Sequence, residues 1–483
     1  MDQAYSDKKK ILLCLSVLLL VCFLIIANPF LYFFLNDDFI HIPLAANGDF
    51  IQGSFYRPLS NLSIWLDYKL WGFNAAGYHL SNILIHLVNT LLIFLVGRKI
   101  FSLNSDARSS SLKSVLSALL FLIYAYHSEP VFWIIGRGGS LAALFFLLAF
   151  LFYLKSWSGS VYYYILSLLL FLAGLFAYEI IWCYPAVVAI FTIRFSSERK
   201  QGPRIAGVVI VFVLFLLFKF FFTGSLSGSY ELGALKNFRL VNLFYNFNTL
   251  FARSFLPPMK NSVLFLTLYL SLLLSLFAAL IKFRKQSKVL IVLFSCVGLC
   301  VLPVVSLGVD THDSESERFI YLATAFAIFF IVELLFQFKK FVVAIACIFL
   351  LVFHSYELAK AAGTYKFSGM VTRKSLECIS VSRKDTIIAI NVPTQYQGAL
   401  IFRIGLPEAL EWFKGANDSN VYIQNDKEIL QKFPDLVCKS VKTNITLPKD
   451  LFNVSDSTRL HLRPNRIILK WEGDSLLISR EFL

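Results

Sequence analysis

Two adjacent carboxylates, Asp37 and Asp38, directly follow the first long apolar segment of the chain. A carboxylate at a membrane boundary is costly unless it is solvated, paired or functional. Carboxylates can take a proton from a hydroxyl group, and the planar fork of an arginine can bind two oxygens of a phosphate. Four carboxylates stand at or near the ends of apolar segments, namely Asp37, Asp38, Glu129 and Glu179, and three arginines beside acidic motifs accompany them, namely Arg57, Arg137 and Arg318. They indicate an acceptor hydroxyl activated against a phosphate-linked donor, and a solvated loop start is the alternative for the acidic pair.

The second apolar segment carries a stripe of polar side chains. His79, Asn82, His86 and Asn89 fall at offsets of three, seven and ten residues, which is one face of a helix. Hydrogen bonding between helices is the favoured interpretation for His86 and Asn89. His79 and Asn82 are equally consistent with a role in a site and with hydrogen bonding between helices. Lys219, near the end of a later apolar segment, is equally consistent with a role in a site and with a side chain that snorkels to the membrane surface.

No cluster of His, Cys or Glu has the spacing of zinc ligands. The sequence leaves open a divalent cation between Asp37, Asp38 and a further acid. No other cofactor is indicated.

The segments that must position these residues belong to a membrane protein. Hydrophobic residues make up 57% of the 483 residues and charged residues 16%, and the mean hydropathy is +0.68. The apolar residues form runs near the roughly 20 residues that a helix needs to cross a bilayer. We expect a polytopic α-helical membrane protein with about eleven transmembrane helices, at residues 11–35, 78–96, 115–133, 140–154, 161–177, 180–193, 205–222, 263–281, 289–307, 319–336 and 341–353.

Lysines and arginines in the short loops predict the orientation. They fall on one side if all the spans are real, and that side should be cytoplasmic together with the N-terminus. The candidate site and the C-terminus then lie outside, as does the long first loop, residues 36–77. The formal net charge of +15 is therefore mainly a topology signal, and no nucleic-acid partner is expected. The first segment lacks a small-residue cleavage site after its lysines, so we expect it to be retained.

The composition changes in the last part of the chain. We divide the chain into a transmembrane domain, residues 1–360, and an extracytoplasmic domain, residues 361–483, of α+β type. Alternating patterns predict strands at 385–392 and 400–404, a helix at 406–413 and a hairpin of 466–471 with 476–480. Within the loop 36–77, residues 59–71 suit a helix that lies in the membrane interface. Cys378 and Cys438 are the two cysteines outside the apolar runs, and one disulfide between them is consistent with an oxidising compartment.

Several motifs resemble the GT-C superfamily of polyprenyl-phosphate-sugar glycosyltransferases. The similarity is greatest to bacterial relatives of the protein O-mannosyltransferases and to the transmembrane O-mannosyltransferases that carry tetratricopeptide repeats. The matching stretches are Asn-Asp-Asp-Phe at 36–39, Tyr-Arg-Pro-Leu-Ser at 56–60, residues 77–86, His-Ser-Glu-Pro-Val at 127–131, Gly-Arg-Gly at 136–138 and Glu-Arg-Phe-Ile-Tyr-Leu at 317–322. The chain departs from the family at Tyr178-Glu179, where Lys-Glu is usual, and at Gly138-Gly139. We find no tetratricopeptide pattern, which favours a bacterial enzyme of the inner membrane.

The resemblance implies transfer of a sugar, of hexosyl or mannosyl type, from a polyprenyl-phosphate donor to a lipid, glycan or protein acceptor, with inversion. It implies that Asp37 is the general base and that Asp38 and Glu129 orient the acceptor or a metal ion. Asp38 is the competing candidate for the base, because adjacent residues at a helix end can both face a cavity. Arg57, Arg137 and Arg318 would hold the donor phosphate. The side chains expected to line the cavity are His79, Asn82, His127, Glu179 and Tyr321. The alternatives are a transporter or flippase for a lipid-linked sugar and a membrane protein that keeps the fold without catalysis.

Overall fold

Sixteen α-helices make up most of the part of the chain that the computed structural model describes, residues 2–51, 56–196, 201–225, 239–283, 287–381, 383, 385–417, 421–424, 437–440, 465–472 and 475–482. They are α1 Asp2–Ile26, α2 Asp38–Ala46, α3 Pro58–Trp71, α4 Ala75–Phe101, α5 Ala107–Leu122, α6 Ser128–Phe132, α7 Arg137–Ser156, α8 Val161–Leu175, α9 Tyr184–Phe195, α10 Gln201–Thr223, α11 Leu240–Arg253, α12 Ser262–Lys282, α13 Ser287–Val301, α14 Tyr321–Leu335, α15 Lys340–Cys378 and α16 Leu406–Lys414.

The helices confirm the predicted class of multi-pass membrane protein. Within the described residues, six helices are long and apolar enough to cross a membrane, and a bent pair, α5 with residues 125–132, is a seventh candidate. Three shorter apolar helices lie at Val161–Leu175, Lys288–Val304 and Tyr321–Leu335. The expected span 180–193 is instead a 3-10 turn, Glu179–Cys183, followed by the 12-residue α9. The count of eleven spans therefore stays a prediction.

The first apolar segment does not run as a helix to Leu35. Helix α1 ends at Ile26, and a 3-10 turn, Pro29–Leu31, follows. A proline has no backbone N–H and cannot continue a helical hydrogen-bond ladder. The chain therefore approaches the acidic pair in non-helical conformation. The long first loop then folds into α2 and α3, of which α3 matches the helix expected at 59–71.

The C-terminal part is a small α+β unit. Its described strands are β1 Thr386–Ile390, β2 Gln395–Tyr396, β3 Ala399–Leu400, β4 Val421–Gln424, β5 Val437–Ser440, β6 Asn465–Glu472 and β7 Ser475–Phe482. Five of them form a sheet in the order β4-β1-β6-β7-β5, in which β6 and β7 are the predicted antiparallel hairpin. Strand β1 is parallel to both neighbours, with Ile388 opposite Ile468.

The strand expected at 400–404 is wrong for most of its length. Strand β3 pairs only with β2, and it ends at Leu400. After it, the N–H groups of Ile401 and Phe402 donate to Thr394 and Pro393. The Ile401 carbonyl and the Ile404 N–H bond to Asn36, in the turn before α2.

The C-terminal unit shares a hydrophobic core with the first loop. Phe39 of α2, Ile64 of α3 and Phe402 belong to the same buried cluster as Trp471 of β6. Helix α15 joins the two parts without interruption over 39 residues. The predicted domain boundary at residue 361 falls inside this helix, and the division stays a prediction.

We expect Cys378 and Cys438 to be linked in the native protein. Cys378, at the end of α15, is disulfide-bonded, while Cys438 lies on β5 and its side chain is outside the described residues. Mass spectrometry of alkylated, non-reduced protein should yield one peptide pair joined through these two residues. Reduction should destabilise the tail by about 2–4 kcal/mol, because the unfolded loop is no longer constrained.

Two alkylated, separate thiols in that experiment would contradict the pairing. The six cysteines that are free, Cys14, Cys22, Cys183, Cys296, Cys300 and Cys347, provide the internal control for complete alkylation.

Candidate active site

The acidic pair follows a sharp turn that the C-terminal unit holds in place. Asn36 has a φ of 46°, a left-handed conformation that asparagine adopts more readily than most residues. Its N–H donates to the Ile401 carbonyl at 2.8 Å, and its Oδ1 accepts from the Ile404 N–H at 2.9 Å. Gly405 has a φ of 88°, and a Cβ there would lie 2.5 Å from the Asn36 carbonyl oxygen. Residues 401–405 therefore fix the position at which the acidic pair begins.

The two adjacent carboxylates have different surroundings. Asp38 is fully buried, and its two oxygens accept from the Leu35 N–H at 2.8 Å and from the Ile135 N–H at 3.1 Å. Burial raises the pKa of Asp38 well above its usual range, and these backbone hydrogen bonds oppose the rise. Asp37 is half-buried at the start of α2, and among the described residues its carboxylate accepts only from the Asn36 amide. The Asp38 carboxylate is therefore occupied by backbone N–H groups, whereas the Asp37 carboxylate is partly accessible.

Glu179 binds two cations that come from distant parts of the chain. Its Oε2 lies 2.8 Å from Nε of Arg57, and its Oε1 lies 3.1 Å from Nζ of Lys219. Arg57 also lies over the Tyr178 ring at 4.1 Å, a cation–π contact. Burial raises the pKa of Glu179, but Arg57 and Lys219 outweigh this effect and lower the pKa to about 2. Glu179 is therefore a stable anion and a poor proton acceptor.

The second ion pair joins α6 to the segment before α14. Glu129 is buried, and it accepts from the Arg318 N–H at 2.8 Å and from the Arg318 guanidinium at 2.5 Å. The guanidinium lies 5.2 Å from the Trp133 ring, and its Nε donates to the Tyr178 hydroxyl at 3.4 Å. Gly139 permits this approach, since a Cβ there would lie 2.8 Å from the Arg318 carbonyl oxygen. Tyr178 thus touches the arginines of both ion pairs.

These contacts form one continuous group, which we call the charge network: Arg57, Glu129, Tyr178, Glu179, Lys219 and Arg318. Its members in the described part of the chain are three cations, two carboxylates and one tyrosine. Arg57 and Arg318 keep about a sixth of their side-chain surface exposed, at 18% and 17%. The network approaches the acidic pair through Trp133, whose Nε1 donates to the Leu35 carbonyl at 3.4 Å.

Arg137 lies outside the charge network. It is buried, and its guanidinium pairs with Asp67 of α3 at 2.5 Å and donates to the Tyr78 carbonyl at 3.0 Å. Asp67 also accepts from the Ser81 hydroxyl at 2.7 Å. These contacts tie α3, α4 and α7 together, and they direct the guanidinium towards Asp67.

At the N-terminal end of α4, the polar stripe provides hydrogen-bond partners for backbone carbonyl groups of neighbouring segments. Asn82 is buried and donates to the Trp133 carbonyl at 2.9 Å, where the chain leaves α6. His79 lies 3.3 Å from the Phe33 carbonyl through Nε2. Both side chains thus support the segments that carry the acidic pair and Glu129.

Deeper in the bundle, two of the expected cavity-lining residues, His127 and Tyr321, belong to a hydrogen-bonded cluster with His86 and Asn89. His86 lies 2.8 Å from the Tyr321 hydroxyl, to which Asn89 donates at 3.2 Å. His127 lies 2.7 Å from the Thr324 hydroxyl. All five residues are buried, so they hold α4, the turn before α6 and α14 together, as polar groups commonly do between membrane helices.

Several partners in the site could not be identified from the sequence. Arg253, at the end of α11, pairs with Glu317 at 2.6 Å, and Glu317 also accepts from the Ser128 hydroxyl at 2.5 Å. Burial raises the pKa of Glu317 to about 7, although Arg253 opposes this. Asp67 and Lys219 stand in apolar stretches where snorkelling or solvation would equally explain a charge. Their pairing with Arg137 and Glu179 depends on three-dimensional proximity alone.

No group of three or more His, Cys, Asp or Glu residues is arranged to hold a metal ion within the described ranges. A cavity of about 730 Å³ lies between α15, the segment before Glu317 and the β2–β3 hairpin. None of the eleven side chains predicted for the site, all of them in the described part of the chain, lines this cavity. That they share one cavity therefore stays a prediction, although four of them meet in the charge network.

Comparison with known proteins confirms the resemblance to transmembrane O-mannosyltransferases. No family model matches the chain. The mouse protein "Protein O-mannosyl-transferase TMTC3" is 32% identical over 162 residues, which is 33% of this chain and 15% of that protein. The Drosophila melanogaster protein "Protein O-mannosyl-transferase Tmtc1" is 35% identical over 150 residues, 30% of this chain and 16% of that protein. The human protein "Protein O-mannosyl-transferase TMTC4" is 37% identical over 112 residues, 22% of this chain and 15% of that protein.

The matches thus span about 15% of the length of these relatives. Among solved structures, the apo form of ArnT from Cupriavidus metallidurans aligns over 97% of this chain and 93% of its own, with a TM-score of 0.46 and 10% identity. The same protein bound to undecaprenyl phosphate aligns over 85% of both chains, with a TM-score of 0.45 and 12% identity.

The different surroundings of the acidic pair predict different effects of the same substitution. Asp38→Asn replaces an acceptor oxygen by an NH₂ group that faces the N–H of Leu35 or Ile135. One buried N–H then loses its partner, which costs about 1–3 kcal/mol. We expect a lower midpoint of thermal unfolding for purified Asp38→Asn.

Asp37→Asn is the matched control, and its midpoint should stay close to that of the wild type. Equal stability of Asp38→Asn and wild type would show that the Asp38 carboxylate does not hold the turn.

Proposed function

We propose that this protein is a membrane glycosyltransferase that moves a sugar from a polyprenyl-phosphate donor to a hydroxyl group of an acceptor outside the cytoplasm. Its relatives carry the name protein O-mannosyl-transferase, which supports a hexosyl or mannosyl type of sugar. We further propose the inner membrane of a bacterium as its location, with the charge network and the C-terminal unit on the periplasmic side. The acceptor is a lipid, a glycan or a protein.

The observation that carries the proposal is an accessible carboxylate, Asp37, next to the segment that Trp133 links to a network with three cations. A sugar linked to polyprenyl phosphate is a phosphodiester with a single negative charge. Guanidinium groups suit this charge, and those of Arg57 and Arg318 keep part of their side-chain surface exposed to an approaching phosphate. Negative charge grows on the phosphate as the glycosidic bond breaks, so these cations stabilise the transition state more than the ground state.

Asp37 serves as the general base in this proposal. It accepts the proton of the acceptor hydroxyl while the hydroxyl oxygen attacks the anomeric carbon from the side opposite the phosphate. The bond between the anomeric carbon and the phosphate oxygen breaks, and polyprenyl phosphate leaves with the bonding electrons. The product sugar therefore has the inverted configuration. Asp38 and Glu129 act by positioning, since their carboxylates hold the Ile135 N–H and Arg318 respectively.

A flippase for a lipid-linked sugar and a non-catalytic protein of the same fold are the rival functions. Purified protein that is supplied with a labelled polyprenyl-phosphate mannose and candidate acceptors distinguishes the three. A glycosyltransferase releases polyprenyl phosphate and labels the acceptor. Movement of intact donor across a vesicle membrane without release supports the flippase, and donor that is neither moved nor consumed supports the non-catalytic protein.

We expect Asp37→Asn to lower the rate of sugar transfer by about 10²- to 10⁴-fold, because the substitution keeps the size of the side chain and removes the proton acceptor. Binding of the donor should change little, since Asp37 lies outside the charge network. Single-turnover transfer and donor binding should be measured on the same preparation. Near-normal transfer by Asp37→Asn would exclude Asp37 as the base.

Arg57→Ala should weaken donor binding and also slow the transfer step. Loss of one group that stabilises developing charge typically lowers kcat by about 10²- to 10³-fold. Arg98→Ala is a matched control, because Arg98 is exposed at the far end of α4. A loss for Arg57→Ala no larger than that for Arg98→Ala would remove Arg57 from the donor site.

A further inference from the structure

The 730 Å³ cavity is not lined by any residue of the charge network, but it adjoins the network in the chain. Glu317 lines the cavity and accepts a hydrogen bond from Ser128. The next residues along the chain, Arg318 and Glu129, form the second ion pair of the network. A ligand that contacts Glu317 in the cavity would therefore lie next to Arg318, which belongs to the proposed donor site.

The lining of the cavity combines many polar side chains with a larger area of apolar surface. All the lining residues except Ala125, Pro258 and Ala361 have polar side chains, which are Tyr126, Lys260, His312, Asp313, Ser314, Glu317, Glu357, Lys360, Thr364, Gln395, Tyr396 and Gln397. The volume lies within the range of pockets for small molecules, about 300–1,000 Å³.

Most of the charge in the lining is compensated within the protein. Glu317 pairs with Arg253 at 2.6 Å, and Glu357 lies 3.4 Å from Lys360. A phosphate group would meet the carboxylates of the lining as well as its lysines. The lining therefore favours a ligand without net charge that can both donate and accept hydrogen bonds.

Two buried polar atoms in the lining have no hydrogen-bond partner among the described residues. The Tyr126 side chain is 1% exposed, and its hydroxyl makes no hydrogen bond within the described part of the chain. The same holds for Oε1 of Gln395. A buried polar group without a partner costs free energy, and native structures rarely keep one without a reason. A ligand with hydroxyl groups would satisfy both atoms.

We propose that this cavity binds a neutral, hydroxyl-rich ligand of the carbohydrate class, and that it is the subsite for a sugar residue of a glycan acceptor. The assignment as an acceptor subsite depends on the proposed function, whereas binding of a sugar does not. Tyr126 and Tyr396 provide aromatic surfaces for the apolar face of a sugar ring, and Gln395 and Gln397 provide amides for its hydroxyl groups. The Tyr126 hydroxyl donates to, or accepts from, the bound sugar.

The test uses saturation-transfer NMR without donor lipid, on full-length protein in a detergent that has no sugar head group. The probes are the methyl α-glycosides of mannose, glucose and galactose. We expect at least one probe to bind to the wild type. Ala361→Phe fills the cavity from α15 and should weaken this binding at least about tenfold, because a packed site tolerates little added volume.

Ala359→Phe is the matched control, since Ala359 is exposed two residues away on the same helix and does not line the cavity. It should bind like the wild type. Tyr126→Phe provides a second variant if Ala361→Phe does not fold. It should bind about three- to tenfold more weakly, the effect of one hydrogen bond, and Tyr356→Phe, at an exposed tyrosine of α15, should bind like the wild type.

Binding of no probe to the wild type would overturn the proposal, and so would equal binding by wild type, Ala361→Phe and Tyr126→Phe. Displacement of the sugar by inorganic phosphate at a similar concentration would assign the cavity to an anion and also overturn it. The transfer assay separates this result from the proposed function. Sugar binding without transfer would contradict the glycosyltransferase, and transfer without sugar binding would contradict the acceptor subsite.

Discussion

A carboxylate that is removed from water must be surrounded by cations and N–H donors, and this requirement organises the upper end of the helical bundle. Glu179 meets it with Arg57 from the first loop and Lys219 from α10. Glu129 meets it with the side chain and the backbone N–H of Arg318. Removal of one partner from a buried pair typically costs about 3–5 kcal/mol, so each pair holds distant segments together. The ion pairs that position the proposed phosphate ligands are therefore also part of the fold.

The overall class of the protein could be predicted because it depends on properties that are local in sequence. Long apolar runs indicated the helices, and the alternating pattern after residue 465 indicated the β6–β7 hairpin. The end of α1 was misplaced, since hydropathy does not register the proline at position 29 that ends regular helix. The strand expected at 400–404 failed for a related reason. Two of its backbone groups, the Ile401 carbonyl and the Ile404 N–H, bond to Asn36. Asn36 is 368 residues before Ile404 in the chain, and an alternating pattern contains no information about such a partner.

The site was predictable in its residue types and less so in their roles. Adjacent acids such as Asp37 and Asp38 are equivalent in a sequence, and only the buried backbone N–H groups of Leu35 and Ile135 distinguish them. Arg137, like Arg318, belongs to one of the motifs that resemble the family. In the structure, however, Arg137 pairs with Asp67 and lies outside the charge network. Where the resembling family usually has a lysine before the glutamate, this chain has Tyr178, and Glu179 obtains its ammonium group from Lys219 on another helix. A lysine that is replaced by one on a distant helix produces no periodic pattern or fixed spacing in the sequence, so this pairing could not be predicted.

Helix α15 places the two parts of the chain in a fixed rotational relation. Its 39 residues correspond to a rod of about 58 Å at 1.5 Å per residue, without a flexible linker before Cys378. Insertion of a single residue within such a rod turns everything beyond it by about 100°. The contacts of residues 401–405 with Asn36 require one particular rotation. An exchange of C-terminal units between proteins of this type must therefore preserve the helical phase of the junction, which makes the length of α15 as strict a requirement as any residue of the site.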